Sequence, residues 1–228
     1  MLAFETRALC KYYRRGSRSE VRALHDFTLA VPQGSFTVVC GPSGCGKTTL
    51  LALLGALERP TSGQVLFQEQ DLANCSDFAL ARLRQRMGFI FQDHALLPKL
   101  SVWENITYPL IPRGISRAER YDRAIRLLDR FGMAGKESAR PGDLSGGEQQ
   151  RVAVARALAG QPEVVLADEP TSNLDDSTGA AVIALLQQAH AEGKALVVST
   201  HDSRLMALAT RVYTLEAGRL QDVRDVCR

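Results

Sequence analysis

Three features of the sequence predict an α/β fold built on a mainly parallel sheet. Short, unbroken apolar runs recur along the chain, a glycine-rich turn links one of them to a helix, and helical patterns separate the later ones. Strands buried on both faces read as continuous apolar runs, and their alternation with helices places those helices over the two faces.

Taken in order, β-like runs at Phe4–Leu9, Phe27–Val31 and Ser35–Cys40 come first, and the third feeds directly into glycines. Lys47–Gly55 reads as a helix closed by the breaker segment Glu58–Gly63, and Gln64–Phe67 as the next strand. From Ser76 to Leu144 the pattern is mainly helical, with a short strand at Gly88–Phe91 and capping boxes at Ser101/Glu104 and Ser116/Glu119. A helix-rich insertion at approximately residues 93–144, inside one domain of residues 1–228, accounts for this. Then a glycine turn opens the helix Gly147–Leu158, and strands Val164–Ala167 and Ala195–Thr200 flank the helix Thr178–Ala191.

Composition narrows the function classes. A hydrophobic content of 45% with 23% charged residues is that of a soluble globular chain. No apolar run approaches the ~18 residues of a membrane span, so this chain does not cross a bilayer by itself. Glu5 and Arg7 interrupt the stretch where a signal peptide needs continuous apolar residues, which predicts a cytoplasmic location. A net charge of +3 is too small a footprint for nucleic acid, and the clusters Arg14-Arg15-Arg18 and Arg82-Arg84-Arg86 read as solvated faces. Five cysteines, at 10, 40, 45, 75 and 227, form no C-x-x-C pair, which excludes a zinc ribbon and disfavours a disulfide framework.

The chemistry begins at Gly41-Pro42-Ser43-Gly44-Cys45-Gly46-Lys47-Thr48, which satisfies G-x-x-x-x-G-K-[ST] between a strand and a helix. Glycines let successive N–H groups converge on phosphate oxygens, and the helix N-terminus adds partial positive charge. Lys47 then reaches the β- and γ-phosphates and the Thr48 hydroxyl ligates Mg²⁺. Cys40 reads as a small buried hydrophobe. Cys45, at a helix N-terminus that favours thiolate, suggests a redox brake on nucleotide binding. Downstream, the apolar strand Glu163–Pro170 ends in two carboxylates: Asp168, placed to hold Mg²⁺ or its water shell, and Glu169, able to accept a proton from an attacking water.

Leu144–Leu158 reads LSGGEQQRVAVARAL, with Ser145, Gly146 and Gly147 at a helix start as a second anion-binding terminus. Here the chain resembles the ATP-binding cassette (ABC) ATPases, whose LSGGQ-type signature lies between the Walker A loop and the Walker B strand. The motifs follow in family order: Walker A at Gly41–Thr48, a Q-loop glutamine at Gln92, the signature at Leu144–Gln149, Walker B at Val164–Asp168 followed by Glu169, a D-loop at Ser172–Asp175, and a switch histidine at His201.

The resemblance implies a P-loop NTPase (RecA-like) core with a mainly parallel sheet, an N-terminal antiparallel β subdomain and an inserted α-helical subdomain. It implies ATP and Mg²⁺ as cofactors. Nucleotide contacts fall on Gly41, Ser43, Gly44, Cys45, Gly46, Lys47, Thr48 and Thr49, with Tyr13 stacking on adenine. Ser145, Gly146 and Gly147 complete the site of a second copy, head to tail. Glu169 polarises the attacking water, His201 contacts the γ-phosphate alongside Lys47, and Gln92 senses metal and water. The implied partners are a second copy of the chain and an integral membrane permease engaged through the Q-loop and helical region. The implied location is peripheral on the inner face of the cytoplasmic membrane, and nucleic acid is not a partner.

Within the family, Gly88–Leu110 resembles cassettes of the lipoprotein-release and macrolide-export (LolD- and MacB-type) group, so export, lipoprotein release or mechanical coupling is expected. An importer cassette and a non-transport ABC ATPase are the alternatives. Ala95–Pro98 through Leu100 and Trp103 reads either as a patch that receives a helix of the membrane subunit or as ordinary packing. The turn in Phe67–Leu72 lacks the glycine usual there.

Overall fold

The computed structural model describes residues 1–17 and 19–226, so Arg18 of the first basic cluster and Cys227 lie outside the described residues. Strands β1 (Leu2–Tyr13) and β2 (Val21–Pro32) pair antiparallel over nearly their whole length. Both are longer than the apolar runs read from the sequence, because their outer positions are half-exposed and carry polar residues. A run-based reading catches only the buried middle of such a strand.

Strand β3 (Phe36–Cys40) is buried at every position and delivers the glycine loop to α1 (Lys47–Leu54). Next come β4 (Ser62–Phe67) and the two-residue β5 (Gln70–Asp71). Their connecting turn lacks glycine, and both of its residues, Gln68 (φ 47°) and Glu69 (φ 68°), adopt the left-handed conformation instead. Helix α2 (Asp77–Arg84) and strand β6 (Met87–Ile90) follow.

Between β6 and the next strand the chain is helical: α3 (Val102–Thr107), a 3₁₀ stretch Tyr108–Arg113, α4 (Arg117–Arg130) and α5 (Gly146–Ala159). At the start of α3, Glu104 accepts from both the N–H and the hydroxyl of Ser101. At α4 only half of the expected box forms: Ser116 Oγ accepts from the Glu119 N–H, while the Glu119 carboxylate turns forward to Arg123. An i,i+4 ion pair competes for the same carboxylate.

The chain ends with β7 (Val164–Asp168), α6 (Asp176–Ala191), β8 (Ala195–Ser199), α7 (Ser203–Leu208), β9 (Arg211–Glu216) and β10 (Arg219–Asp225). The last three lay outside the sequence reading. Polar and charged residues interrupt the apolar positions of β9 and β10, and α7 is under two turns long.

Two sheets result. A four-stranded antiparallel sheet has the order β2-β1-β4-β5, and a six-stranded sheet the order β10-β9-β3-β8-β7-β6. In the second, β9, β3, β8, β7 and β6 run parallel and only β10 is antiparallel, at an edge. Its central strands feed two cores, because successive side chains point to opposite faces. Val38, Val165, Ala167, Leu196 and Val198 pack with α3, α4, α5 and α6 on one face. Val39, Val164, Leu166, Ala195 and Val197 pack with α1, α2 and the antiparallel sheet on the other. Each valine or leucine among them, once fully buried, contributes ~1.5–3 kcal/mol, which ties the strands on which the site hangs into both cores.

Candidate functional site

The register of the parallel strands brings distant motifs to one edge. Val39 of β3 pairs with Ser199 of β8, and Ser199 pairs with Asp168 of β7. Residues just past these three carboxyl ends, Gly41, Glu169 and His201, therefore surround one point, where open α/β sheets place ligands.

Two glycines hold the loop there. Gly46 has φ 112°, and a Cβ on it would stand 2.3 Å from the carbonyl oxygen of Ala23. Gly41 has φ 145°, and a Cβ on it would stand 1.9 Å from the carbonyl oxygen of Leu215. The loop is thus pressed against β2 on one side and β9 on the other, so a side chain at either point would push the cradle off the sheet. Gly218 N–H also donates to the Cys45 carbonyl at 3.0 Å.

At the focus, Lys47 Nζ donates to the carbonyl oxygens of Gly41 (2.7 Å) and Pro42 (3.3 Å) and lies 3.0 Å from His201 Nε2. Glu169 Oε1 is 3.7 Å from Lys47 Nζ and 3.3 Å from His201 Nε2. Glu169 itself is left-handed (φ 45°), and its N–H donates to the Ser199 carbonyl at 3.0 Å. This turn lifts its carboxylate off the strand direction and into the cavity. Asp168, buried at the end of β7, accepts from the Ser199 hydroxyl, and among the described residues no lysine or arginine pairs with it.

A cavity of about 960 Å³ gathers these groups. Its wall includes Tyr13, Ser43, Gly44, Gly46, Lys47, Thr48, Thr49, Gln92, Asp168, Glu169 and His201. Tyr13 Oη donates to Glu58 at 2.8 Å, and Lys11 Nζ lies 5.1 Å from the Tyr13 ring centroid. Burial, with the Glu58 carboxylate, raises the Tyr13 pKa, so the phenol stays neutral. Tyr12 takes another path, stacking on His25 with Arg22 over its ring, and is not in the cavity wall.

Cys45 corrects a sequence expectation. It is 4% exposed, and burial pushes its thiol pKa up despite the nearby Lys47 charge and local N–H groups. Desolvation outweighs the helix terminus, so the thiolate that a redox brake needs is disfavoured.

The signature residues lie elsewhere. Ser145 Oγ accepts from the Glu148 N–H at 3.3 Å, and Glu148 accepts from the Ser145 N–H at 2.8 Å, a capping box that opens α5. Ser145, Gly146 and Gly147 are absent from the cavity wall. A Cβ on Gly147 would sit 2.3 Å from Thr178 Cγ2, so close approach to α6 demands this glycine within the chain itself, whereas Gly146 faces open space.

Residues that sequence reasoning missed complete the wall: Val21, Arg22 and Ala23 from β2, Thr171, Asp202, and Ala217 with Gly218. Asp202 accepts from the Thr171 hydroxyl at 3.0 Å, and Arg204 holds its carboxyl below the usual carboxylate range. Residues 21–23 and 217–218 carry no chemical motif and reach the cavity through the packing of their strands, whereas Thr171 and Asp202 stand two and one positions past Glu169 and His201.

A second, apolar groove lies between α2, β6 and the helical segment, lined by Leu57, Phe89, Phe91, Leu97, Tyr108 and Pro109 among others. Trp103 is not part of it. Its indole is 8% exposed, edge-on to Tyr121 with Arg117 and Arg120 against the ring, so ordinary packing claims it while Leu97 stays at the surface.

The family model described as ABC transporter matches residues 24–172. The chain belongs to the ABC transporter family. It is an ATPase cassette of that family. The chain is 46% identical, over 92% of its length, to the macrolide export ATP-binding/permease protein MacB 2 of Aeromonas hydrophila. It is 41% identical, over 95%, to the pyoverdine export ATP-binding/permease protein PvdT of Pseudomonas fluorescens. It spans only about a third of those two relatives, 32% and 33% of their lengths. An uncharacterised ABC transporter ATP-binding protein of Thermotoga maritima is 43% identical over 90% of this chain and 88% of its own. Among solved structures, the ATP-binding cassette MJ0796, a dimer in a post-hydrolysis state bound to ADP and Pi, superposes with a TM-score of 0.91 at 35% identity, covering 97% of this chain and 98% of that one. No helix among the described residues is long and apolar enough to cross a membrane.

Proposed function

We propose that this cassette hydrolyses ATP in a site shared between two copies and drives a separate membrane protein, in an export-type system. One observation carries the reading: Lys47, Glu169 and His201, from three separate segments, meet within 3.7 Å over the glycine loop.

Each residue has a task in phosphoryl transfer. The loop N–H groups and Lys47 bind the phosphates, and the Tyr13 ring at the cavity wall offers a stacking face for the base. Glu169 is placed to orient an attacking water and take its proton. His201, within hydrogen-bond reach of the same point, contacts the transferred phosphate and fixes the Glu169 carboxylate. Gln92 lines the same cavity from the start of the helical segment and so ties its contents to that segment.

Mg²⁺ suits the donor set. The Thr48 hydroxyl, the Gln92 amide oxygen and the Asp168 carboxylate are hard oxygen ligands, and among the described residues no lysine or arginine pairs with buried Asp168. When bound, the ion neutralises phosphate charge.

The signature supports a second copy as partner. Ser145 and Gly146 present a capped helix start that the chain's own cavity does not use, and the MJ0796 cassette, so similar over its whole length, is a dimer. The apolar groove beside Gln92 is the proposed seat for a helix of the membrane subunit. Export as the direction follows the relatives whose names record it. Attachment to that subunit would hold the chain at the inner face of the cytoplasmic membrane.

Calorimetry on Lys47→Ala tests the cradle. ATP affinity should fall by more than 10-fold, since a charge-assisted contact to phosphate is worth more than ~1.5 kcal/mol, and unchanged affinity removes Lys47 from the phosphate site.

A further inference from the structure

Outside the cavity, two buried polar atoms are without a hydrogen-bond partner close to one another. His94 Nδ1, two residues past Gln92, and Gln150 Oε1, on α5, are both buried and unpaired. The imidazole lies against the Gln150 carboxamide. One can donate and the other accept, so the two atoms are complementary. A buried polar group left without a partner is costly, and native structures retain few of them.

The other end of Gln150 is engaged. The side chain is 2% exposed, and its Nε2 donates to the carbonyl oxygen of Pro170 at 2.7 Å. Pro170 follows Glu169, whose own backbone is left-handed and held by Ser199. Helix α5 also grips the His94 turn at a second point. Arg156 donates to the carbonyl oxygens of His94 and Ala95, both at 2.5 Å, and these two residues are themselves left-handed. One rigid helix therefore touches the turn after Gln92 and the turn that carries Glu169.

We propose that Gln150 is a positioning strut between His94 and Pro170, so that the place of the Q-loop turn sets the place of the Glu169 carboxylate. Neither residue lines the cavity. They act through Pro170, and the inference rests on the assignment of Glu169 as the proton acceptor. It accounts for two complementary polar atoms buried side by side between the two turns. It also explains how movement of the helical segment reaches the chemistry through side chains outside the cavity.

The test compares ATP hydrolysis, KM for ATP and Tm for the purified chain as wild type, His94→Ala, Gln150→Met, the double variant, His94→Asn and Glu169→Gln. His94→Ala and Gln150→Met should each lower kcat by ~10- to 100-fold, the loss typical of misplacing a reacting group by about an ångström, with KM nearly unchanged. The double variant should lose no more than the worse single, because one contact is removed twice. His94→Asn, whose Nδ2 stands close to the place of Nδ1, should recover most of the rate, which a packing role alone would not allow. Additive losses, a change in KM in place of kcat, or wild-type kcat in both His94→Ala and Gln150→Met overturns the strut. If Gln150→Met does not fold, the pair His94→Ala and His94→Asn decides by the same criterion. Glu169→Gln separates the two readings: wild-type turnover there overturns the Glu169 assignment, whereas an inactive Glu169→Gln beside fully active His94 and Gln150 variants overturns the strut alone.

Discussion

Replacing Glu169 with glutamine changes one atom's charge and almost no volume, so its consequences follow from the electrostatics of the focus. Glu169 Oε1 stands 3.7 Å from Lys47 Nζ, with the two side chains 15% and 8% exposed. The gross attraction at that separation is about 1 kcal/mol in water and about 4 kcal/mol at an effective dielectric of 20. Incoming phosphates compete with this carboxylate for the ammonium, and they also meet its negative charge. Glu169→Gln removes both obstacles, so ATP affinity should stay equal to wild type or rise, by up to roughly 10-fold if about 1.4 kcal/mol of that attraction is recovered. Turnover should fall by ~10²- to 10⁴-fold, the usual loss for a missing general base. Phosphate release and calorimetric titration with ATP measure the two halves, and size-exclusion chromatography with ATP and Mg²⁺ should show a trapped dimer. Phosphate release at the wild-type rate would refute the role of Glu169. Weaker ATP binding would refute the charge argument, and a monomer in ATP would refute the shared site.

Two further outcomes are expected. Asn105→Ala should destabilise the fold by about 1–3 kcal/mol, roughly 2–4 °C in Tm per kcal/mol for a chain of this size, read by a thermal melt. The Asn105 side chain is fully buried, accepts from the Leu97 N–H (2.7 Å) and donates to the carbonyls of Leu97, Leu100 and Ser101, so a wild-type Tm would show that the loop at the groove holds itself. Alkylation at neutral pH should label Cys10 before Cys45, followed by peptide mass spectrometry. Burial opposes ionisation of Cys10, but the Asp26 N–H and the Tyr12 and Ser62 hydroxyls outweigh it and hold the thiol below its ordinary value, whereas burial holds Cys45 above. Less thiolate means slower reaction, and faster labelling of Cys45 would reinstate the redox expectation.

Much of this protein was legible in its residues. The loop Gly41–Thr48, the carboxylates Asp168 and Glu169 and the signature at Leu144–Gln149 are each contiguous, and their chemistry depends on local spacing that the backbone alone enforces. The strands β3, β7 and β8 were legible for a related reason: burial on both faces leaves an unbroken apolar run. Less legible were β9, β10 and the ends of β1 and β2, whose exposed positions break such runs.

What tertiary structure alone decided is which residues meet. Strand register places His201 3.0 Å from Lys47, 154 positions away in sequence, and selects Tyr13 over its neighbour Tyr12. Long-range packing makes Gly147 a neighbour of Thr178 and buries both Trp103 and Cys45. The Cys45 reversal shows why. A helix N-terminus is visible in sequence, but the pKa of a thiol placed there depends on how much water remains around it. That is set by β2 and β9, from opposite ends of the chain, closing over the loop.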